Sequence, residues 1–487
     1  MLFNSIEFLI FFVIVTALFF ILPKKCRNYL LLAASYVFYA WWNWKLLFLI
    51  AFTTLVSYGA GLYLAYRPKG RKLVFAGAVV LIVGALLFFK YYNFFARGIG
   101  FLANSISGNS FDFTLDILLP VGISFYTFQT LSYVIDVYRG TIEPERNIAI
   151  YALFVSFFPQ LVAGPIERPN DLIPQLKAEH TFNPDDVTEG FRMMVIGFFE
   201  KIAVADVVGV LVNKVYEHIA EANGLLVLVA TVLFSVQILC DFKGYSDIAK
   251  GIARIYGIRL SDNFDHPYGA RSVREFWRKW HMTLSYWFRD YVYIPLGGSH
   301  VPFARYCLNI LIVFAISGLW HGAALTFLLW GVLHAVYQIV EKLVDKIRLR
   351  RGGGTLKPDT KVVAALRTVL TFVLVTIAWI LFRSNSLSDC GLAFAKLFTD
   401  WQATGAYFRY AYDYLALSWQ KVLGIALVLT IFATSGPLLK RLDVEGASRA
   451  KRVGKVAVYA VMMIVTITCF LYLKSIDVAS SFIYFQF

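Results

Sequence analysis

The histidine at position 321 is the first candidate for chemistry, because residues 317–322, S-G-L-W-H-G, lie between two long apolar runs. An ionisable group at membrane depth is costly and is a functional-site hypothesis by default. A histidine that stays mostly neutral near pH 7 suits a general base, which would remove a proton from a hydroxyl group. The alternative is a hydrogen-bonded packing histidine, and these residues alone leave both interpretations open.

A second candidate is the polar, basic and aromatic stretch 261–300 within an otherwise apolar chain. Ser272 and Glu275 form a capping-box pattern that predicts a helix start, and Pro295 with the following glycines predicts its end. On one continuous helix, aromatic and polar side chains would form two adjacent stripes with four interleaved cations. One stripe consists of Trp277, His281 and Ser285, and the other of Trp280, Leu284, Trp287 and Tyr291. The four cations are Arg274, Arg278, Lys279 and Arg289. Such a helix is either an interfacial lipid anchor or the cytoplasmic lining of a substrate passage.

Further polar groups occur inside the apolar segments. Glu200 and Lys201 are adjacent and would point to different faces of a helix, so each needs its own partner. Residues 241–247, D-F-K-G-Y-S-D, are expected to close a span and to brace its cytoplasmic rim. His334 lies in an apolar helix and is interpreted as a packing residue. The sequence contains no P-loop, G-x-S-x-G, H-E-x-x-H or dinucleotide fingerprint, and no metal site is predicted.

The elements that position these residues are membrane helices. The chain has 487 residues, of which 59% are hydrophobic and 16% charged, and its mean hydropathy is +0.64. Soluble domains are about half apolar and a quarter charged. Spanning backbone must satisfy its own hydrogen bonds, which favours helices here. The net charge of +15 resides in short loops between apolar runs, so it indicates topology rather than nucleic-acid binding. The five cysteines are scattered singly and are interpreted as small apolar fillers.

The predicted architecture is one integral membrane domain, 1–487, with roughly 11–13 transmembrane helices plus re-entrant and interfacial helices. Segment 148–162 is interrupted by F-F-P-Q and is interpreted as re-entrant, with a Pro-kinked full span as the alternative. A short hinge is expected at 351–354. If the spans alternate, the basic loops are cytoplasmic and both termini lie outside. The predicted spans are 6–22, 29–42, 47–66, 73–89, 117–138, 191–212, 225–240, 307–320, 325–340, 363–382, 415–434 and 456–472. The basic loops are 24–27, 67–72, 139–146, 243–289, 342–361 and 440–455.

Six sequence blocks together carry a resemblance to a known family. They are 120–129 (P-V-G-I-S-F-Y-T-F-Q), 162–168 (V-A-G-P-I-E-R), 241–247 with its Tyr245, 276–281 (F-W-R-K-W-H), 287–291 (W-F-R-D-Y) with its Asp290, and 318–322 (G-L-W-H-G) with its Trp320. In these blocks the chain resembles the membrane-bound O-acyltransferases, and among them the bacterial branch that acetylates alginate and related exopolysaccharides. The catalytic core would then be about 116–341, followed in 342–487 by a cytoplasmic loop and C-terminal transmembrane helices.

The resemblance implies roles for particular residues. His321 falls on the family's catalytic histidine and His281 on a second, supporting one. An acyl donor on the cytoplasmic side and an acceptor outside are implied, with no bound cofactor. The basic aromatic block suits an anionic donor such as acetyl-CoA, with Arg274, Arg278, Lys279 and Arg289 as its entrance and with Trp277, Trp280 and Trp287 beside its pantetheine arm. The other residues predicted along the path of donor and substrate are Asp290, Tyr291, Tyr245 and Trp320.

The resemblance leaves a choice of function. The leading hypothesis is an O-acetyltransferase of the bacterial inner membrane that serves a secreted polysaccharide, with a periplasmic acetyltransferase and exopolysaccharide machinery as partners. One alternative is a D-alanyl transferase of teichoic acid assembly, which takes its acyl group from a carrier protein. The extra C-terminal spans, 415–472, favour the polysaccharide branch. An alternative from another class is a non-enzymatic lipid or polysaccharide transporter.

Overall fold

The computed structural model of the chain describes residues 1–108, 110–351, 359–444, 448–477 and 482–483. These residues form helices joined by loops and turns, with a single antiparallel bridge and no β-strand among them. The predicted all-α class is confirmed. Residues 352–354 of the predicted hinge lie outside the described residues, as do residues 445–447 of the predicted basic loop 440–455.

The described chain divides into two compact units. The first comprises residues 1–191 and 249–261, and the second comprises residues 192–248 and 262–487. The helices up to the first boundary are α1 Ile6–Ile21, α2 Lys24–Ala40, α3 Leu46–Tyr66, α4 Arg71–Leu86, α5 Tyr92–Ser107, α6 Ile123–Arg139, α7 Ile148–Ser156, α8 Phe158–Leu161, α9 Pro169–Lys177 and α10 Pro184–Phe198. Of the three boundaries, one falls within α10, one falls within α12 (Gly224–Ile255), and the third falls in the loop after α12.

The remaining helices belong to the second unit, apart from the C-terminal end of α12. They are α11 Val207–Glu217, α12 Gly224–Ile255, α13 Val273–Lys279, α14 Met282–Phe288, α15 Phe303–His321, α16 Leu325–Arg351, α17 Lys361–Arg383, α18 Leu387–Thr399, α19 Gly405–Tyr414, α20 Trp419–Leu442 and α21 Arg449–Ser475. Short π-helical segments occur at Leu87–Tyr91, Phe199–Asp206 and Arg289–Tyr293, and a 3₁₀ turn at Pro267–Gly269.

Eight helical runs among the described residues are long and apolar enough to cross a membrane. They are α3, the continuous run of α4 and α5, α12, α15, α16, α17, α20 and α21. A spanning helix needs about 20 apolar residues, so the chain is a multi-pass membrane protein. The other four predicted spans fall on shorter or more polar helices: α1 with 16 residues, α2 and α6 with 17 each, and the run from α10 to α11.

The predicted break in segment 148–162 is present in the first unit. The nine-residue α7 ends at Ser156, and α8 restarts at Phe158. Because of the break, the amide of Phe158 makes no helical hydrogen bond. It donates instead to Ser35 Oγ of α2 at 3.0 Å. The whole segment 150–166 is buried. At about 1.5 Å per residue, α7 is roughly 13 Å long, too short to cross a bilayer, which favours the re-entrant interpretation over a full span.

Helices α15 and α16 of the second unit cross closely, because each helix has a glycine that faces the backbone of the other helix. A Cβ atom at Gly318 would overlap the carbonyl oxygen of Phe327, and one at Gly331 would overlap that of Phe314. Any larger residue would push the two helices apart. This contact fixes the end of α15, where the histidine lies.

Candidate active site

His321 is the last residue of α15 and is almost completely buried, with 3% of its surface exposed. The chain leaves the helix at Gly322, whose missing side chain makes room for the ring of Phe327. The rings of Trp330 from α16 and Phe382 from α17 lie edge-on to the imidazole, with centroids at 5.0 and 5.5 Å. Three helices therefore hold the His321 ring in place.

His281 lies at a break between two short helices, which corrects the prediction of one helix from Ser272 to Pro295. Ser272 caps α13 as predicted, but α13 ends at Lys279, and His281 adopts a left-handed backbone with φ of 43°. The break follows from backbone pairing with residues 263–265, because Asp265 N donates to Lys279 O and Met282 N donates to Asn263 O, each at 3.0 Å. These bonds replace helical ones, so the predicted stripes do not continue from α13 into α14.

The side chain of His281 is fully buried and contacts an asparagine that the sequence did not reveal. Asn263 Oδ1 lies 3.3 Å from His281 Nδ1 and accepts from Thr283 Oγ1 at 2.6 Å. The ring of Phe242 stands edge-on to the imidazole at 4.6 Å. Burial lowers the pKa of His281 to about 3, so its imidazole is neutral near pH 7.

The two histidines are neighbours in space, although 40 positions separate them in the sequence. Their ring centroids are 6.5 Å apart. Trp320 lies beside both, with its ring centroid 5.8 Å from that of His281 and 4.9 Å from that of His321. The structure therefore brings His281, Trp320 and His321 together in one aromatic pocket.

A cavity of about 680 Å³ lies between α13, α14, α15 and α16, and its lining does not include His281 or His321. Its apolar wall includes Trp277, Val313 and Phe314, and the buried Ser317 also lines it. Ser317 precedes His321 by four residues on α15, so the two side chains share a face about 6 Å apart along the helix axis. The volume lies in the range of small-molecule sites, roughly 300–1,000 Å³.

The cavity is lined by four cations, and carboxylates pair with two of them. Arg274 forms ion pairs with Glu341 and Asp345 of α16, and Arg289 pairs with Asp290 through two contacts of 2.6 and 3.1 Å. Arg278 and Lys342 also line the cavity and have no ion pair among the described residues. The uncompensated positive charge of the cavity therefore comes from Arg278 and Lys342.

The remaining predicted path residues lie outside the cavity lining. Trp280 is buried between Phe276, Phe264 and Trp379, and Trp287 packs against Tyr291 at 5.1 Å. Lys279 pairs with Glu275 at 3.0 Å. The ring of Tyr245 on α12 lies 5.0 Å from that of Phe482 near the C-terminus.

The charged segment 241–247 does not end a helix, and its place at the cytoplasmic end of a membrane span stays a prediction. Helix α12 continues through it to Ile255, because the charges are paired inside the protein. Lys201 lies 2.8 Å from Asp206 and 2.5 Å from Asp241, and Lys243 lies 2.7 Å from both Glu200 and Asp247. Glu200 and Lys201 thus have separate partners, as expected for adjacent residues on a helix. Compensated charges of this kind can be buried within a helix bundle.

Sequence reasoning missed several residues of this site. Asn263 carries no motif that distinguishes it, and the contacts of Trp330 and Phe382 depend on the packing of α16 and α17. Lys342 was identified only as part of a basic loop. A signal was available for α16, because Glu341 and Asp345 stand four residues apart and could pair with cations of a neighbouring helix. Within the described chain, no group of three His, Cys, Asp or Glu residues could hold a metal ion.

Fold and site together define a multi-pass membrane protein with two buried histidines, one of which lies a helical turn from the lining of a basic, partly apolar cavity. Residues 145–388 match the model of the membrane-bound O-acyltransferase family. Relatives match over most of the chain at more than 30% identity. The chain belongs to the membrane-bound O-acyltransferase family, and it is a membrane O-acyltransferase.

Three relatives indicate the range of this similarity. The probable alginate O-acetylase AlgI of Azotobacter vinelandii is 37% identical over 407 residues, which is 82% of this chain and 79% of the relative. The peptidoglycan O-acetyltransferase of Helicobacter pylori is 32% identical over 80% of this chain and 78% of its own. The teichoic acid D-alanyltransferase of Bacillus subtilis is 27% identical over 66% of this chain and 81% of its own.

Proposed function

We propose that the protein transfers acetyl groups from acetyl-CoA, supplied on the cytoplasmic side of the bacterial inner membrane, for the O-acetylation of a secreted polysaccharide such as alginate. The observation that carries the proposal is the cavity, which runs from uncompensated cations to within one helical turn of His321. The similarity to an alginate O-acetylase and a peptidoglycan O-acetyltransferase supports acetyl as the transferred group.

In the proposed reaction, His321 is the catalytic base. Its neutral imidazole removes the proton from the acceptor hydroxyl as the oxygen attacks the thioester carbonyl. The new C–O bond forms, the C–S bond breaks, and the proton returns to the leaving thiolate as a thiol. A positioned base of this kind contributes about 10²–10⁴-fold to a rate. His281, neutral and 6.5 Å away between ring centroids, is proposed to support His321.

The cavity suits a donor that is charged at one end and apolar along its arm. CoA carries several phosphates, and the side chains of Arg278 and Lys342 supply uncompensated charge for them at the cavity. The indole of Trp277 and the ring of Phe314, whose centroids are 5.2 Å apart, supply an apolar wall for the pantetheine arm. The polar residue Ser317 is then the last one that the acetyl group passes before His321.

The acceptor is proposed to approach from the opposite side of the membrane. The acetyl group would pass to a periplasmic acetyltransferase partner of the exopolysaccharide machinery, which would complete the transfer to the polymer. The D-alanyl transferase alternative is less well supported, since the B. subtilis D-alanyltransferase is 27% identical and the A. vinelandii alginate O-acetylase 37%.

The proposal is tested by thioester turnover with the purified protein in detergent or nanodiscs. Acetyl-CoA and a D-alanyl thioester of a carrier protein are offered separately, and release of free thiol is followed in the presence of a sugar acceptor. We expect turnover with acetyl-CoA and little with the D-alanyl carrier. The opposite preference would overturn the donor assignment, and turnover of neither would favour the transporter alternative.

A further inference from the structure

Asn263 connects the second histidine to three other groups. It lies in the loop that follows α12 and is 2% exposed. Its carbonyl oxygen Oδ1 accepts from Thr283 Oγ1 at 2.6 Å and faces His281 Nδ1 at 3.3 Å. Its amide nitrogen Nδ2 donates to Ser246 Oγ of α12 at 3.2 Å, and its main-chain oxygen accepts from Met282 N at 3.0 Å. One side chain therefore links α12, the break at His281 and the start of α14.

The contact with Oδ1 determines which nitrogen of His281 carries the proton. A carbonyl oxygen can only accept, so the facing nitrogen Nδ1 must donate. In a neutral imidazole the other nitrogen, Nε2, then has a lone pair and accepts hydrogen bonds. In this orientation of the amide, Nδ2 donates to Ser246 Oγ at 3.2 Å.

We propose that Asn263 is a positioning residue that holds His281 as the Nδ1–H tautomer, so that Nε2 of His281 acts as a hydrogen-bond acceptor beside His321. The inference rests on the proposed function, because it assigns His281 a particular form of support in that reaction. It excludes an oxyanion-binding role for Nε2, since that nitrogen has no proton to donate. Loss of Asn263 lets the ring take the other tautomer or rotate, which misplaces the group that supports the base.

The test compares two substitutions at this position with a matched control, all assayed for thioester turnover on equal amounts of purified protein. Asn263→Leu keeps the number and branching of side-chain heavy atoms and removes the acceptor. We expect kcat to fall about 10- to 100-fold, as for loss of a residue that orients a histidine, with KM for acetyl-CoA changed by less than about twofold. Asn263→Asp keeps an acceptor for His281 Nδ1 and is expected to recover most of the kcat.

Asn309→Leu is the matched control, because Asn309 is also fully buried and its side chain, among the described residues, bonds the carbonyl oxygens of Leu296 and Gly298 and no histidine. It introduces the same loss of a buried amide and should leave kcat close to that of the wild type. If Asn263→Leu does not fold, Asn263→Asp decides alone. A kcat for Asn263→Asp as low as that of His281→Ala would overturn the inference, because it would mean that Nδ1 had been accepting from the amide.

The outcome is distinguishable from a failure of the proposed function. If the wild-type protein does not turn over acetyl-CoA, the function itself is wrong. If the wild type is active, His321→Ala is inactive, and Asn263→Leu keeps the wild-type kcat, then only the role of Asn263 is refuted.

Discussion

The double substitution Arg278→Gln and Lys342→Gln tests whether the cavity binds a phosphorylated donor. Both side chains line the cavity without an ion pair among the described residues, so both charges are available to a ligand. Both are exposed, and exposed ion pairs contribute only up to about 1 kcal/mol each. Together they account for about 2 kcal/mol, which corresponds to an increase of about 30-fold in KM for acetyl-CoA. We expect kcat to remain close to the wild-type value, because neither residue takes part in the proposed proton transfer.

The assay is steady-state thioester turnover on equal amounts of purified variant. The matched control is Lys279→Gln, because Lys279 pairs with Glu275 outside the cavity, and its loss should leave KM unchanged. Raising the salt concentration of the wild-type assay should mimic part of the effect, because salt screens the attraction between these cations and the phosphates. The Debye length is about 8 Å at an ionic strength of 0.15 M and becomes shorter as the ionic strength rises. A KM within about twofold of the wild type for the double variant would refute the reasoning. Lower protein levels in the membrane with unchanged KM would instead indicate a lipid anchor.

Two further predictions concern packing and topology. Gly318→Ala should lower the unfolding temperature, at a cost of about 1–3 kcal/mol, because its Cβ meets the carbonyl oxygen of Phe327. Gly424→Ala in α20, where a Cβ meets nothing within 4 Å, is the control and should be tolerated. A reporter fused in loop 67–72 or 440–455 should be cytoplasmic and one in 384–412 periplasmic. A cytoplasmic signal from 384–412 would show that the span assignment is wrong.

The membrane helices could be predicted because apolar length is a property of the local sequence. Residues 47–66 and 363–382, for example, fall within α3 and α17. The continuity of helices was harder to predict. The sequence pattern favours one helix through His281, but tertiary hydrogen bonds with residues 263–265 break it. The continuation of α12 through the charged segment 241–247 also depends on the fold, because Asp241 and Lys243 pair with Lys201 and Glu200.

The sequence motifs allowed the two histidines of the candidate site to be predicted, but not their distance from each other. The proximity of His281 and His321 depends on how α15 packs beside the break before α14, and no spacing in the sequence encodes that distance. The predicted cationic entrance was a set of four residues chosen by charge. The structure places Arg274, Arg278 and Arg289 at the cavity and pairs two of them with carboxylates. Such pairing joins residues up to 71 positions apart, so it required the fold.

The central claim is that His321 is the base that removes the proton from the acceptor. The most direct test is kcat for acetyl transfer by purified His321→Ala, with folding checked by its unfolding temperature and by its elution as a single species. We expect a loss of at least about 10²-fold, the contribution of a positioned base, in a protein that remains folded, and a smaller loss for His281→Ala. A folded His321→Ala variant that transfers acetyl groups at a rate near wild type would contradict the account.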